Sequence, residues 1–165
     1  MSRLAMGKRR LLWQFYFAYL LVTLFSLLAV SVYVSSALRN SYRDRTAEEL
    51  LSRAWLVADS IGDRLTSRQV RDVDTLCKTL GKRAATRITV VMPDGRVVGD
   101  SEHLPERMEN HADRPEIINA LAGQTIPSVR FSHTLRQEMM YVAIALQRGG
   151  QTIGILRTSV PLPST

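Results

Sequence analysis

Only one cysteine, Cys77, stands in the 165 residues, so no intrachain disulfide can form and any domain must rest on its apolar core. Its neighbours Leu76 and Leu80 place it in a helical pattern, where a buried, inert thiol is expected. Acidic and basic residues are missing from Leu11 to Leu38 (LLWQFYFAYLLVTLFSLLAVSVYVSSAL), and neither proline nor glycine interrupts the chain from Lys8 through Ile61. No glycine-rich phosphate loop and no close-spaced Cys/His zinc pattern occurs. Beyond the apolar run no stretch of Lys and Arg alternates with aromatics, which argues against nucleic acid as a partner. Internal repeats and low-complexity segments are also absent.

The uncharged run is the organising feature. A helix rises about 1.5 Å per residue, so about 20 apolar residues cross a hydrocarbon core of about 30 Å, and Leu11 to Leu38 exceeds that. Trp13, Tyr16 and Tyr19 near one end and Tyr33 near the other suit the two headgroup levels. Arg3, Lys8, Arg9 and Arg10 precede the run with no acid among them, which keeps the N-terminus cytoplasmic and sends the rest outside. A cleaved signal sequence would have a core of about 7–15 residues. This one is longer, although Ser35-Ser36-Ala37 imitates a cleavage site, so an uncleaved anchor is expected. The net charge of +7 is inflated by that tail: of 22 Lys and Arg, four precede the span, and the remaining 18 face 15 acids. The expected organisation is a basic cytoplasmic tail over 1–10, a transmembrane helix over 11–38, an extracytoplasmic domain over 39–162, and a short linker over 163–165.

Past the membrane, Leu50, Ala54, Val57, Ile61 and Leu65, flanked by Leu51 and Ala58, repeat at helical spacing. A long amphipathic helix over Arg43 to Leu65 is predicted, loosened at Gly62 and continuous with the membrane helix. Its stripe suits either its own domain or a second copy of the chain. A second helix is predicted over Ser67 to Leu80, ending with Gly81 at its C′ position. Then Arg87–Met92, the turn Pro93-Asp94-Gly95, and Arg96–Asp100 form a hairpin. Ser101 to Ala112 has neither period and is read as a loop. Asp113-Arg114-Pro115-Glu116 has the spacing of a capping box for a short helix stopping at Gly123. Strands follow over Ser128–Thr134, Met139–Leu146 and Thr152–Val160, with turns at Leu135–Glu138 and Gln147–Gln151; the second, apolar on both faces, should be central. The fold class is therefore α+β: a membrane helix running into a long helix, then a five-stranded antiparallel sheet with helices on one face.

Three groups of residues resemble one family. They are RITVVMPDGRVVGDS at Arg87–Ser101, the loop Met108-Glu109-Asn110-His111 leading to Arg114-Pro115-Glu116-Ile117, and the closing Met140–Ala143 with Gly154–Arg157. Together they look like the extracytoplasmic domain of bacterial sensor histidine kinases of the phosphate-regulon type, over nearly the whole chain. The resemblance implies a single Cache (PDC, PAS-like) fold between two membrane helices; a homodimer in the inner membrane of a bacterium, with a small-molecule or protein ligand outside, is then expected. In such kinases a second membrane helix, a HAMP linker, a phosphoacceptor histidine helix and an ATP-binding domain follow. None is in this sequence, so the chain looks like the N-terminal portion of a kinase or the product of a truncated gene reading. ATP, magnesium and a response regulator are then expected only for the absent kinase core, and no cofactor for this chain. A chemoreceptor or cyclase input domain, or a single-pass envelope binding protein, carries the same signals.

Catalysis finds no support: Ser101 lies near His103 in sequence, but a triad is not inferred from proximity. His103, Glu109, His111 and Asp113 have ligating side chains, yet their spacing fits no strong metal pattern. Asn110 and His111 are expected to fix the loop through backbone hydrogen bonds. A small anion is the sharper candidate, with Arg114, Arg130, His133 and Arg136 as charges and Tyr141 as an added donor. Solvent-facing roles for Arg130 and Arg136 on an alternating strand and its turn explain the same residues without a ligand.

Overall fold

The absence of proline and glycine from Lys8 through Ile61 has its consequence in one helix, α1, over Arg3–Thr66. The computed structural model describes residues 3–66, 70–132 and 136–163. The chain divides into two compact units, Met1–Asp44 and Arg45–Thr165. In the first, α1 is long and apolar enough to cross a membrane. Its Phe17, Leu21, Phe25 and Leu28 are exposed, as lipid-facing side chains are. The one threonine in this stretch, Thr23, satisfies its hydroxyl internally, donating to the carbonyls of Tyr19 and Leu20 at 3.0 and 2.9 Å.

In the second unit the predicted stripe is the buried one: Leu50, Ala54, Val57, Ala58 and Ile61 all face the core. Helix α1 runs on through Gly62, because a lone glycine costs a helix only about 1 kcal/mol and the packed stripe outweighs it. Helix α2, Val70–Ala84, also passes the glycine at which it was expected to stop. Gly81 is needed for approach: a Cβ there would meet Ser101 Cβ at 2.4 Å. Ala85 takes the left-handed conformation instead, with φ 46°. The predicted start of this helix, Ser67 to Gln69, lies outside the described residues.

Five strands follow: β1 Arg87–Val91, β2 Val97–Asp100, β3 Ser128–Ser132, β4 Gln137–Arg148 and β5 Gln151–Pro161, with a short helix α3, Pro115–Leu121, between β2 and β3. All pairings are antiparallel, in the order β2-β1-β5-β4-β3. The expected α+β sheet is thus present. Its middle strand is β5, and β4, although buried on both faces, lies one place toward the edge. The β4–β5 turn is tighter than predicted. Only Gly149 and Gly150 lie between the strands, with φ 58° and 80°, the pair of positive values that a two-residue hairpin turn requires. Strand β4 also begins at Gln137, inside the predicted turn. The end of the predicted third strand, His133 and Thr134, lies outside the described residues.

Alternation gives the sheet two unlike faces. Ile88, Val90, Ile144, Leu146 and Leu156 pack under α1 and α2, with Val73 and Cys77. Burial, then Asp100 nearby, pushes the Cys77 thiol up to about 12, in keeping with an inert core residue. Near the end of β5, Leu50, Met140, Val142 and Leu162 extend this apolar layer. The opposite face holds a smaller cluster in which Val91, Ala143 and Ile155 meet Ile117 and Ala120 of α3. Beside that cluster the same face turns polar.

Candidate functional site

The polar region is roofed by the loop between β2 and α3, and its shape is set by short-range bonds. In the β1–β2 turn the amide of Gly95 donates to the Met92 carbonyl at 2.8 Å, and Arg96 donates its amide to Asp94 Oδ1 at 3.0 Å. The far end of the loop grips this turn. Asn110 Nδ2 donates to the Asp94 carbonyl at 2.9 Å, Asn110 Oδ1 accepts the Ala112 amide at 2.8 Å, and the His111 amide donates to the Gly95 carbonyl at 2.8 Å. The backbone-fixing role expected for Asn110 and His111 is what these bonds do. At the near end, Asp100 Oδ1 accepts the amides of Glu102 and His103, both at 2.9 Å. A single 3₁₀ turn over Pro105–Arg107 lies between.

The predicted capping box does not form. Arg114 occupies the N-cap position and its side chain makes no capping bond, and Pro115 opens α3. Glu116 turns inward, 1% exposed, and its Oε1 accepts from Arg130 Nη2 and Arg157 Nη1, both at 3.2 Å. Two guanidinium partners outweigh what one backbone cap bond offers a carboxylate. Asp113 instead pairs with Arg114 Nε at 3.4 Å.

Arg157 starts a buried chain of polar contacts. Its Nη2 donates to Thr89 Oγ1 at 3.1 Å, the hydroxyl donates to Asp100 Oδ2 at 2.7 Å, and Arg87 Nε donates to both Asp100 oxygens at 3.2 Å. Across the sheet, Asp100 also donates its amide to Asp74 Oδ1 on α2 at 3.1 Å. Burial alone would raise the Asp100 carboxyl, but Arg87, Thr89 and the two loop amides outweigh it and hold it below the usual range. The Arg157 guanidinium is itself lowered by burial, with Glu116 opposing the shift. Tyr141 lies beneath two guanidiniums, whose central carbons are 4.3 Å (Arg130) and 5.1 Å (Arg157) from its ring centre.

These groups floor a cavity of about 670 Å³ between the sheet and the loop. Of the anion residues expected from sequence, Arg114, Arg130 and Tyr141 line it together. Arg136 does not: it sits in the turn before β4, with φ 53°. His133 lies outside the described residues. From the motif loop, Glu109 and His111 line the cavity, Asn110 holds the turn outside it, Pro115 begins α3, and Glu116 lies beneath the arginines. His103, Glu109 and His111 share the lining, yet among the described residues no three His, Cys, Asp or Glu side chains gather as a metal set. Ser101 Oγ accepts the Ile88 amide at 3.0 Å, a structural role.

Several lining groups were not singled out from sequence: Arg87, Arg107 and Arg157, with Asp100 behind them. A charge at the centre of a β-branched strand, as in Ile155-Leu156-Arg157-Thr158, is the signal that marks Arg157. His111 is nearly buried; burial first, and Arg157 second, pull its imidazole down to about 4, so it is neutral at pH 7. Its Nδ1, His103 Nε2, and the Nε atoms of Arg130 and Arg157 are buried without a hydrogen-bond partner among the described residues. The arrangement offers fixed positive charge and free donors to something that enters.

Residues 40–161 match the family described as Single Cache-like, and the chain belongs to it. No curated protein matches the sequence. Among solved structures, the chain is similar to the sensor domain of the V. cholerae histidine kinase DctB, at 17% identity and TM-score 0.63, covering 74% of this chain and 51% of that one. It is also similar to the E. coli DcuS sensor domain, at 20% identity and TM-score 0.56 over 72% of this chain and 90% of that one. A third is the ligand-binding domain of the C. jejuni chemoreceptor Tlp3 in complex with 4-methylisoleucine, at 14% identity and TM-score 0.55, covering 74% and 52%. The chain thus spans about half the length of the V. cholerae and C. jejuni domains. At these identities the likeness is one of fold, shared by sensor domains of kinases and chemoreceptors alike.

Proposed function

We propose that this Single Cache-like chain is the extracytoplasmic input region of a membrane-anchored sensor histidine kinase, and that the arginine-floored cavity is where a small ligand is sensed. The observation that carries the reading is the cavity itself: a volume of about 670 Å³ lined by guanidiniums of which some Nε donors are buried and unused. The apolar helix supports anchorage, and the basic residues before it support a cytoplasmic N-terminus with the domain outside. The sequence of the motif loop Glu109–Glu116, by its resemblance, supports the phosphate-regulon type of kinase. A ligand acts here by favouring one of two packings of the domain in a homodimer, and only its difference in affinity for the two can be transmitted. ATP, magnesium and a response regulator belong to the kinase core in this reading.

A second reading, a chemoreceptor input domain, is favoured by the fold shared with Tlp3 and with the P. fluorescens chemoreceptor CtaA domain in complex with L-serine, at 11% identity and TM-score 0.54. The reading of the next codons after Thr165 separates the two: a HAMP-like linker and histidine-bearing helix favour the kinase. The cavity is tested by thermal shift of the full chain in nanodiscs against small organic acids and amino acids. Stabilisation that disappears in Arg130→Gln is expected. No stabilisation by any compound would sink the sensing role of the cavity. An alkaline phosphatase fused after Thr165 should be active only if the domain is exported.

A further inference from the structure

We infer that Glu116 is a resident counter-anion that sets the charge of the ligand, restricting the cavity to small monoanions such as monocarboxylates and turning away dianions. The inference rests on the sensing role proposed above for the cavity.

Charge accounting on the buried floor leads to it. Three guanidiniums, Arg87, Arg130 and Arg157, face two carboxylates, Asp100 and Glu116, whose side chains are fully buried. Arg87 pairs with Asp100 and lies 3.8 Å from the part-exposed Glu102, while Asp100 is satisfied by Arg87, Thr89 and two loop amides. Arg130 and Arg157 converge on a single oxygen of Glu116. Two positive charges therefore share one negative charge, and one is left over. The Arg157 side chain is 3% exposed and that of Arg130 28%, so water reaches the surplus charge only in part, and a ligand bearing one negative charge is the group that relieves it.

The donors for such a ligand are present. Arg130 and Arg157 both line the cavity, and the Nε of each is buried without a hydrogen-bond partner. His111 adds no charge at neutral pH, so it does not alter the count. Leu104, Met108, Phe131 and Tyr141 supply apolar lining for an alkyl chain. Of the outer lining charges, Arg107 and Arg114 are matched in number by Glu102 and Glu109, with Arg114 paired to Glu109 at 3.5 Å, so they add no net charge, and a second negative charge on a ligand would face Glu116 beneath with no surplus cation to meet it. Without the Glu116 carboxylate, the same two arginines would hold a dianion, so this one residue decides the class.

Matched pairs that differ by one carboxylate test the rule: propionate with malonate, butyrate with succinate, valerate with glutarate. Calorimetry on the full chain in nanodiscs at pH 7.5 is expected to give at least one monocarboxylate about tenfold tighter than its dicarboxylate partner. Glu116→Gln keeps the shape and removes one charge, and should narrow that ratio by about tenfold or invert it. Tighter binding of the dicarboxylate to the wild-type chain, or a ratio unmoved in a folded Glu116→Gln, would overturn the inference while leaving the cavity a ligand site. Should the variant not fold, the wild-type ratios decide alone, with inorganic phosphate at pH 8 as a further dianion expected not to bind. If none of the six acids binds the wild type, both the inference and the sensing role of the cavity fall.

Discussion

The two faces of the sheet are built on opposite principles. Under α1 and α2 the side chains are aliphatic, their contacts interchangeable in kind, and their contribution scales with the area removed from water. Across the strand, one residue away in each case, lie Thr89, Arg157 and Tyr141, where each group has a named partner and none can be exchanged for another of similar size. The first face makes the domain stable. The second stores charge that burial makes costly and that a ligand can use. Period two in the strands lets one set of residues do both, since Leu156 and Arg157 are neighbours yet answer to different demands.

The sharpest way to break this comparison is to strand a charge. Asp100→Ala removes the buried partner of Arg87, which keeps only the part-exposed Glu102 at 3.8 Å, and the acceptor of the Thr89 hydroxyl, and should cost about 4 kcal/mol, more than an aliphatic truncation of greater volume. Urea denaturation of the detergent-solubilised chain measures it. If the loss comes from an orphaned cation, adding Arg87→Met to Asp100→Ala should recover part of it, which a double-mutant cycle reads directly. On the apolar face, Leu156→Ala should cost about 3 kcal/mol through a cavity beneath α1 and α2. No second truncation there should restore it. A Leu156→Ala loss that a neighbouring truncation repaired would show that the faces are less unlike than their composition implies.

The apolar face was legible in the sequence and the polar one only in pieces, for a physical reason. The stripe Leu50, Ala54, Val57, Ile61 repeats, and repetition within one element needs no knowledge of what it packs against. The hairpin, the strands and their order of types were readable in the same local terms. Arg157, Thr89 and Asp100 are brought together from three strands, so their pairing depends on the register of β1 with β5 and β2. Glu116 reads as part of a cap because its local spacing is right, and only the long-range arginines reveal that it points the other way. Gly81 misled in the same manner, since its need for space comes from Ser101 twenty residues on. Arg114, Arg130 and Tyr141 stand out in the sequence by chemistry alone. That they share one cavity is a matter of topology.

Acidification acts on one face and spares the other, which makes pH the gentlest probe of the contrast. His111 is held neutral in the folded domain, its imidazole brought down to about 4 by burial and by Arg157, against about 6.5 in an unfolded chain. Because the folded value is depressed, the unfolded state binds the extra proton first as pH falls. Stability from this group is complete above about pH 6.5 and is lost progressively down to about pH 4, below which both states are protonated. Between pH 7 and pH 4.5 the domain should lose about 2 kcal/mol, before Asp100 begins to titrate at still lower pH. In His111→Gln that slope should flatten over the same window, while Leu156→Ala should shift the whole curve down without changing its slope. A wild-type profile flat from pH 7 to 4.5 would mean that the imidazole reaches solvent, and that the polar face is wetter than its buried arginines imply.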